Sequence, residues 1–215
     1  MSRISFIEDF IGHNVSSAPL QDRPSFFNPA WDVGTGGATP KLELVSEDGG
    51  SCCRFLSSDE TDRFVGLVLA FPKAQAKRHP VFGGRLMFRN DYLITHQQTW
   101  FGFSETWPPT TAAADDFHGF FLDNTATLEN WKWVHRSNGA EASGDTGIVA
   151  AQEFWHEFEI ALSPKEATFA LNGKVVHGIN RDASTLDLYW SVITKTRTGA
   201  VREMLLDLLY GSQDR

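Results

Sequence analysis

Glu157 and Glu159 stand one residue apart in the run Trp155-His156-Glu157-Phe158-Glu159-Ile160-Ala161-Leu162. In an extended chain, side chains alternate with a period of two, so these two carboxylates share a face. Paired carboxylates on one face are the equipment of glycoside hydrolysis, where a separation of about 5–5.5 Å suits an acid and a nucleophile. His156-Glu157 also opens like the zinc motif H-E-x-x-H. Ile160 stands where its second histidine belongs, and the alternating run reads as a strand rather than the helix that motif needs. Asp115-Asp116 lies close to His118, but one acidic pair does not fill the six to eight oxygens of a calcium shell, and a solvated turn is the plainer reading. Cys52 and Cys53 are adjacent. Neighbours on a strand point to opposite faces, so a bridge between them would be strained. Arg54 could activate Cys53, although a strand cysteine more often serves as a small core residue. None of the seven histidines sits beside a Gly-x-Ser-x-Gly elbow. Gly34-Thr35-Gly36-Gly37 lacks the lysine and helix of a phosphate loop. No catalytic residue, cofactor or metal ligand is therefore expected.

Binding residues are the other class. Trp100, Trp107, Trp131 and Trp133 could stack on sugar rings. Trp131 and Trp133 share a strand face with His135, opposite Lys132 and Arg136, and that parity sends them to the core. Trp107 stands beside Pro108-Pro109 in a loop and is the glycan-stacking candidate. Lys73, Lys77, Arg78 and His79 form a basic cluster in a chain of formal net charge −8. A solvated loop is the bland reading and a contact to an acidic partner the sharper one. Leu20, Phe26, Phe27 and Trp31 are apolar beads in a segment too rich in proline and glycine for regular structure, residues 11–40. Such beads are costly in water and are expected to pack on a partner or on their own domain.

The elements that position these residues are short strands. The clearest are 156–162, 167–171 and 174–177, the last two joined by Asn172-Gly173, the strongest short hairpin signal. Earlier strands are expected at 4–10, 41–46, 51–56, 63–71, 84–88, 92–95, 99–103, 119–122, 131–136 and 147–150, and later ones at 186–194 and 201–210. Residues 72–80 read as a basic loop and 106–116 as a second loop. No amphipathic helix and no internal repeat is evident. Many short strands with regular turn signals predict an all-β sandwich or jelly roll of one domain, residues 1–215. The 17 Phe and 7 Trp favour packed β-structure. The acidic balance argues against nucleic acid as a partner, and no stretch approaches the roughly 18 apolar residues of a membrane span.

From residue 117 onward the signals come in a recognisable order. They are Gly119-Phe120-Phe121, Asn130-Trp131, Asp145-Thr146-Gly147, Trp155-His156, Phe158-Glu159-Ile160, Leu171-Asn172-Gly173, Tyr189-Trp190-Ser191-Val192-Ile193, Thr196-Arg197-Thr198-Gly199-Ala200 and Leu206-Asp207-Leu208-Leu209. This order resembles the concanavalin A-like, laminin-G-type sandwich of virion structural proteins of tailed bacteriophages, which also open with a strand like Phe6-Ile7-Glu8-Asp9-Phe10. The resemblance implies two stacked antiparallel sheets and a non-enzymatic capsid decoration, or cement, protein on the virion surface. Its partners would be the major capsid protein or another virion protein and its own copies, with a trimer favoured. The same fold hosts lectins for host attachment and polysaccharide hydrolases or lyases, so fold alone does not choose. A laminarinase-type hydrolase of this fold would carry a strand reading E-x-D-x-x-E. Glu157-Phe158-Glu159 is the nearest match, and no third acid follows it.

Overall fold

The computed structural model describes residues 3–8, 28–31, 41–47, 50–57, 59–89, 94–107, 109, 115–125 and 127–215. Among them run fifteen strands: β1 (Arg3–Glu8), β2 (Asn28–Trp31), β3 (Lys41–Glu47), β4 (Gly50–Leu56), β5 (Phe64–Ala74), β6 (Val81–Met87), β7 (Gln97–Ser104), β8 (Phe117–Asn124), β9 (Asn130–Ser137), β10 (Ala140–Val149), β11 (His156–Leu162), β12 (Ala167–Leu171), β13 (Lys174–Ile179), β14 (Leu188–Thr196) and β15 (Glu203–Asp214). They form two sheets. One has eight strands in the order β13-β12-β11-β6-β15-β4-β3, with β1 also paired to β15. The other has seven, in the order β10-β9-β8-β7-β14-β5-β2. The pairings within both sheets are antiparallel. This is the concanavalin A-like sandwich.

Alternation decides which side chains meet between the sheets. On β11, His156, Phe158, Ile160 and Leu162 are buried, while Glu157 and Glu159 are exposed. Phe158 packs against Phe101, Phe120 and Trp131, with ring centroids 5.0, 5.1 and 4.8 Å apart. Phe82 stacks on Phe101 at 4.7 Å and meets Trp190 edge-on at 5.7 Å. Offset and edge-to-face rings like these fill a sandwich densely and add about 0.5–1.5 kcal/mol each beyond area burial. Cys53 is in this core, Cys52 is buried in a separate cluster, and neither forms a disulfide.

The structure corrects several expected boundaries. Asn28–Trp31, inside the segment read as irregular, is an edge strand on β5. Proline is tolerated on an edge because its missing N–H can face outward. β5 runs through Pro72 to Ala74, so the expected basic loop shrinks to a 3-10 turn at Ala76–Arg78. Ile94 to His96 lead into β7 by a turn, not a strand. β10 is ten residues long rather than four, because its polar sequence hides a strand lying at the edge of its sheet. Its register slips between Asp145 and Val149, where Gly147 has φ +71°.

The Asn172-Gly173 turn lies where expected, with φ of +54° and +73°. A Cβ on Gly173 would meet nothing within 4 Å. Gly173→Val therefore strains backbone alone, and its expected cost is about 1–2 kcal/mol. A chemical denaturation midpoint unchanged from wild type would contradict this.

Candidate functional site

The two glutamates point outward from the eight-stranded sheet, where β11, β6 and β15 lie side by side. Register puts Glu159, Gly83 and Tyr210 in one row across the three strands. The Tyr210 ring lies flat over Gly83, so that a Cβ there would come within 2.2 Å of it. The phenol hydroxyl donates to Glu159 Oε2 at 2.8 Å. Only glycine in the middle strand lets the tyrosine cross it.

The next row holds Glu157 and Arg85 as direct neighbours. Arg85 Nε donates to Asp207 Oδ2 at 2.7 Å, and its Nη2 reaches the same oxygen. The guanidinium also sits over the Trp155 ring, 5.0 Å from its centroid, a cation–π contact. Asp207 and Tyr210 are three residues apart and would face opposite ways on a regular strand. The register of β15 on β6 shifts between Leu206 and Leu208. The bulge turns Asp207 and Tyr210 to the same outer face, while Met204, Leu206 and Leu209 all point into the core.

These side chains border a cleft of about 390 Å³ lined by Arg85, Glu157, Asp207, Leu208 and Tyr210. A second hollow of about 240 Å³ adjoins it, sharing Glu157 and Tyr210 and adding Glu159 and Val175. Three carboxylates against one guanidinium make the local field negative. Desolvation, the Glu159 hydrogen bond and the charges of Glu159 and Glu157 together push the Tyr210 phenol well above its ordinary value. In a spectrophotometric titration, one of the three tyrosines should resist ionisation at a pH where an ordinary phenol ionises. Its loss from the curve in Tyr210→Phe would assign it, and a wild-type curve with three ordinary tyrosines would refute the arrangement.

A second constellation is buried. His118 and His135 face each other across β8 and β9, with Nδ1 atoms 3.1 Å apart. The backbone N–H of Ser184 donates to His118 Nε2 at 3.3 Å. That nitrogen is therefore the acceptor, and the His118 proton is on Nδ1. It is donated to His135 Nδ1, and His135 Nε2–H donates in turn to the Asp182 carbonyl at 3.1 Å. Both rings are neutral, and burial holds both below the usual histidine value. The chain clamps residues 182–184 to the end of the sandwich. Nearby Asp116 is also buried, and its Oδ1 accepts the Asn138 N–H at 2.7 Å. The Asp115-Asp116 pair thus serves a turn.

The residues singled out from sequence are dispersed. Leu20, Phe26 and Phe27 lie outside the described residues, and Trp31 pairs through its backbone with Val65 on β5. Lys73 is next to last in β5, with its Nζ 4.1 Å from the Tyr189 ring centroid. Lys77 and Arg78 form the last turn of the 3-10 segment, Lys77 exposed. Trp107 is not the free platform expected. It is half-buried, edge-on to Phe64 at 6.2 Å, and joins Trp100, Phe117, Val134 and Ile193 on the outer face of the seven-stranded sheet. Trp131 is fully buried, as parity predicts. Trp133 is partly covered and stacks on His177 at 3.6 Å. Arg85, Asp207 and Tyr210 escaped sequence reasoning. The available signals were the paired Gly83-Gly84 inside a strand and the break in alternation at Leu208-Leu209.

Sequence comparison matches the chain to no protein-family model and to no curated protein. Comparison of folds finds many solved relatives. A protein of unknown function from Shewanella oneidensis MR-1 shares 12% identity at TM-score 0.68, covering 98% of this chain and 86% of that one. A carbohydrate esterase from the Shiga toxin-encoding bacteriophage phi24B shares 12% at 0.55, covering 92% and 96%. The metal-free carbohydrate recognition domain of Emp46p shares 8% at 0.61, covering 94% of each. A Bacillus licheniformis β-glucanase also shares the fold, with 10% identity, TM-score 0.59 and 98% of each chain covered. Identities this low speak for the fold alone, and the fold carries both binding and hydrolytic proteins.

Proposed function

We propose that this chain is a non-enzymatic structural protein of a tailed-bacteriophage virion, a decoration protein that cements the capsid surface by docking on its neighbours. The observation that carries the non-catalytic half is how the aligned acids are spent. Glu159 accepts from Tyr210, and Asp207 is gripped by Arg85. On the middle strand of the seven-stranded sheet, the outward positions are Gln98, Trp100, Gly102 and Ser104, without a carboxylate. A glycosidase needs two carboxyl groups facing one sugar, and here only Glu157 of the three cleft acids is not already engaged by a neighbouring side chain. The virion half is supported by the order of sequence signals through residue 210 and by a phage-encoded protein among the fold relatives.

Co-sedimentation of purified protein with capsids tests the reading. Binding that saturates at a fixed number of copies per particle supports it, and protein that never pellets with any capsid overturns it. A glycan-binding module for host attachment is the second reading, favoured by Trp155 and Arg85 beside the 390 Å³ cleft. A glycan array separates the two. Glu157→Gln and Glu159→Gln test for hydrolysis, and Glu159→Gln should leave particle binding intact. If either abolished hydrolysis of a β-glucan or related polysaccharide, a hydrolase reading would replace both.

A further inference from the structure

We infer that the acidic cleft on the outer face of the eight-stranded sheet is a socket for the basic 3-10 turn of a second copy of this chain, with Lys77 and Arg78 entering beside Glu157. The inference deepens the decoration reading, since it says how copies would join, but it rests on separate observations.

The first observation is an unspent pair of charges. Glu157 is exposed, and its carboxylate has no partner among the described residues, unlike Glu159 and Asp207. Lys77 and Arg78 likewise have no side-chain partner there, whereas Lys73 lies over Tyr189 and His79 reaches Asp214 at 3.1 Å. The chain carries net charge −8, so two copies repel in general, and locally complementary charge favours one way of meeting. The turn is the basic knob, and the cleft is the matching hollow.

The second observation is that the knob is held ready. Gln75 N–H donates to Gln213 Oε1 at 3.3 Å, and Gln213 Nε2 donates to the Lys73 carbonyl at 3.0 Å. Arg78 and His79 N–H close the turn on Gln75 and Ala76. A pre-formed turn loses little entropy on docking. The same ties keep it from bending into its own cleft. From Val81, next to the turn, to Arg85 at the cleft is four residues of strand, roughly 13 Å. Knob and socket are different patches of one molecule, so the contact is head-to-tail and closes into a ring if the rotation allows. The carboxylates of Glu157 and Glu159, whose charges add to burial in raising the Tyr210 phenol, suit an ammonium or guanidinium guest.

The test is sedimentation velocity at low and high salt on wild type, Glu157→Lys, and Lys77→Glu combined with Arg78→Glu. The wild type should associate, and salt should weaken it. Each reversal should weaken self-association at least about tenfold. An equimolar mixture of the two variants should associate again, because the unaltered knob of one fits the unaltered socket of the other and the reversed knob meets the reversed socket. A wild type that stays monomeric at low salt overturns the inference. So does association that survives both reversals, or a mixture that shows no rescue. Circular dichroism of each variant checks the fold, since Glu157 and Lys77 are exposed but Arg78 is half-buried. Particle co-sedimentation is read separately, so a chain that self-associates but ignores capsids would sink the virion reading and leave this one standing.

Discussion

Acidifying a solution of this protein from neutral pH toward 4 is expected to remove several kcal/mol of stability. Three buried histidines carry the effect. His156 is pushed down from 6.5 to about 4, chiefly by burial. His118 is lowered by burial and by the charge of His135, and His135 is lowered by burial first, with Arg181 adding to the shift and Asp182 and Asp116 opposing it. The sign follows from linkage. Their folded values lie below the unfolded value, so above pH 6.5 neither state binds the proton and stability is full. Below 6.5 the unfolded chain takes up protons that the folded chain refuses, and stability falls until the folded value is reached. For His156 alone the window from 6.5 to about 4 corresponds to about 3 kcal/mol. The buried pair adds to this. A second proton would set two cations 3.1 Å apart, and protonation of His118 Nε2 would expel the Ser184 N–H. Urea midpoints measured across this range should fall steeply below pH 6.5. His118→Gln with His135→Gln should flatten the curve, and a wild-type midpoint independent of pH would refute the burial of these rings.

Phe158→Ala should be the most damaging single truncation on β11. The ring is 2% exposed and sits at the crossing of Phe101, Phe120 and Trp131. Its removal loses transfer energy and leaves a cavity that both sheets are too rigid to close, about 3–5 kcal/mol. For a chain of this size, that lowers the melting temperature by roughly 10 °C. Glu157 and Glu159, on either side, point to water, and their Gln variants should melt near wild type. Similar losses at all three positions would mean that the alternation has been misassigned.

Where local chemistry agreed with tertiary context, the sequence was legible. β11 to β13 read correctly because Phe158, Ile160 and Leu162 alternate cleanly and Asn172-Gly173 tolerates positive φ. β10 was cut short because Ala140 to Gly147 carries no apolar alternation. It is a strand through its pairing with β9, a long-range fact. The Pro72 end of β5 was missed because proline ends most strands but not this one. The cleft was half visible. Glu157 and Glu159 were found by parity, but Asp207 and Tyr210 reach them only through a bulge, and a bulge shifts parity without changing composition. Trp107 misled because neighbouring prolines mark a loop without saying whether its side chains fold back.

The irregular edge strand β10 has a consequence for how many molecules can be crowded together safely. A sheet edge exposes unpaired amide and carbonyl groups that invite another chain to add on without limit. Here Glu141 and Asp145 are exposed along that edge, and the register slip beyond Asp145 interrupts the row. The corresponding edge of the other sheet, β13, begins with an exposed Lys174. Backbone zippering of copies is thus discouraged at these two edges. Along these two edges, molecules held at high density would meet through side-chain contacts rather than backbone addition, and at β10 the residues that discourage fibres are the ones that made the strand hard to recognise.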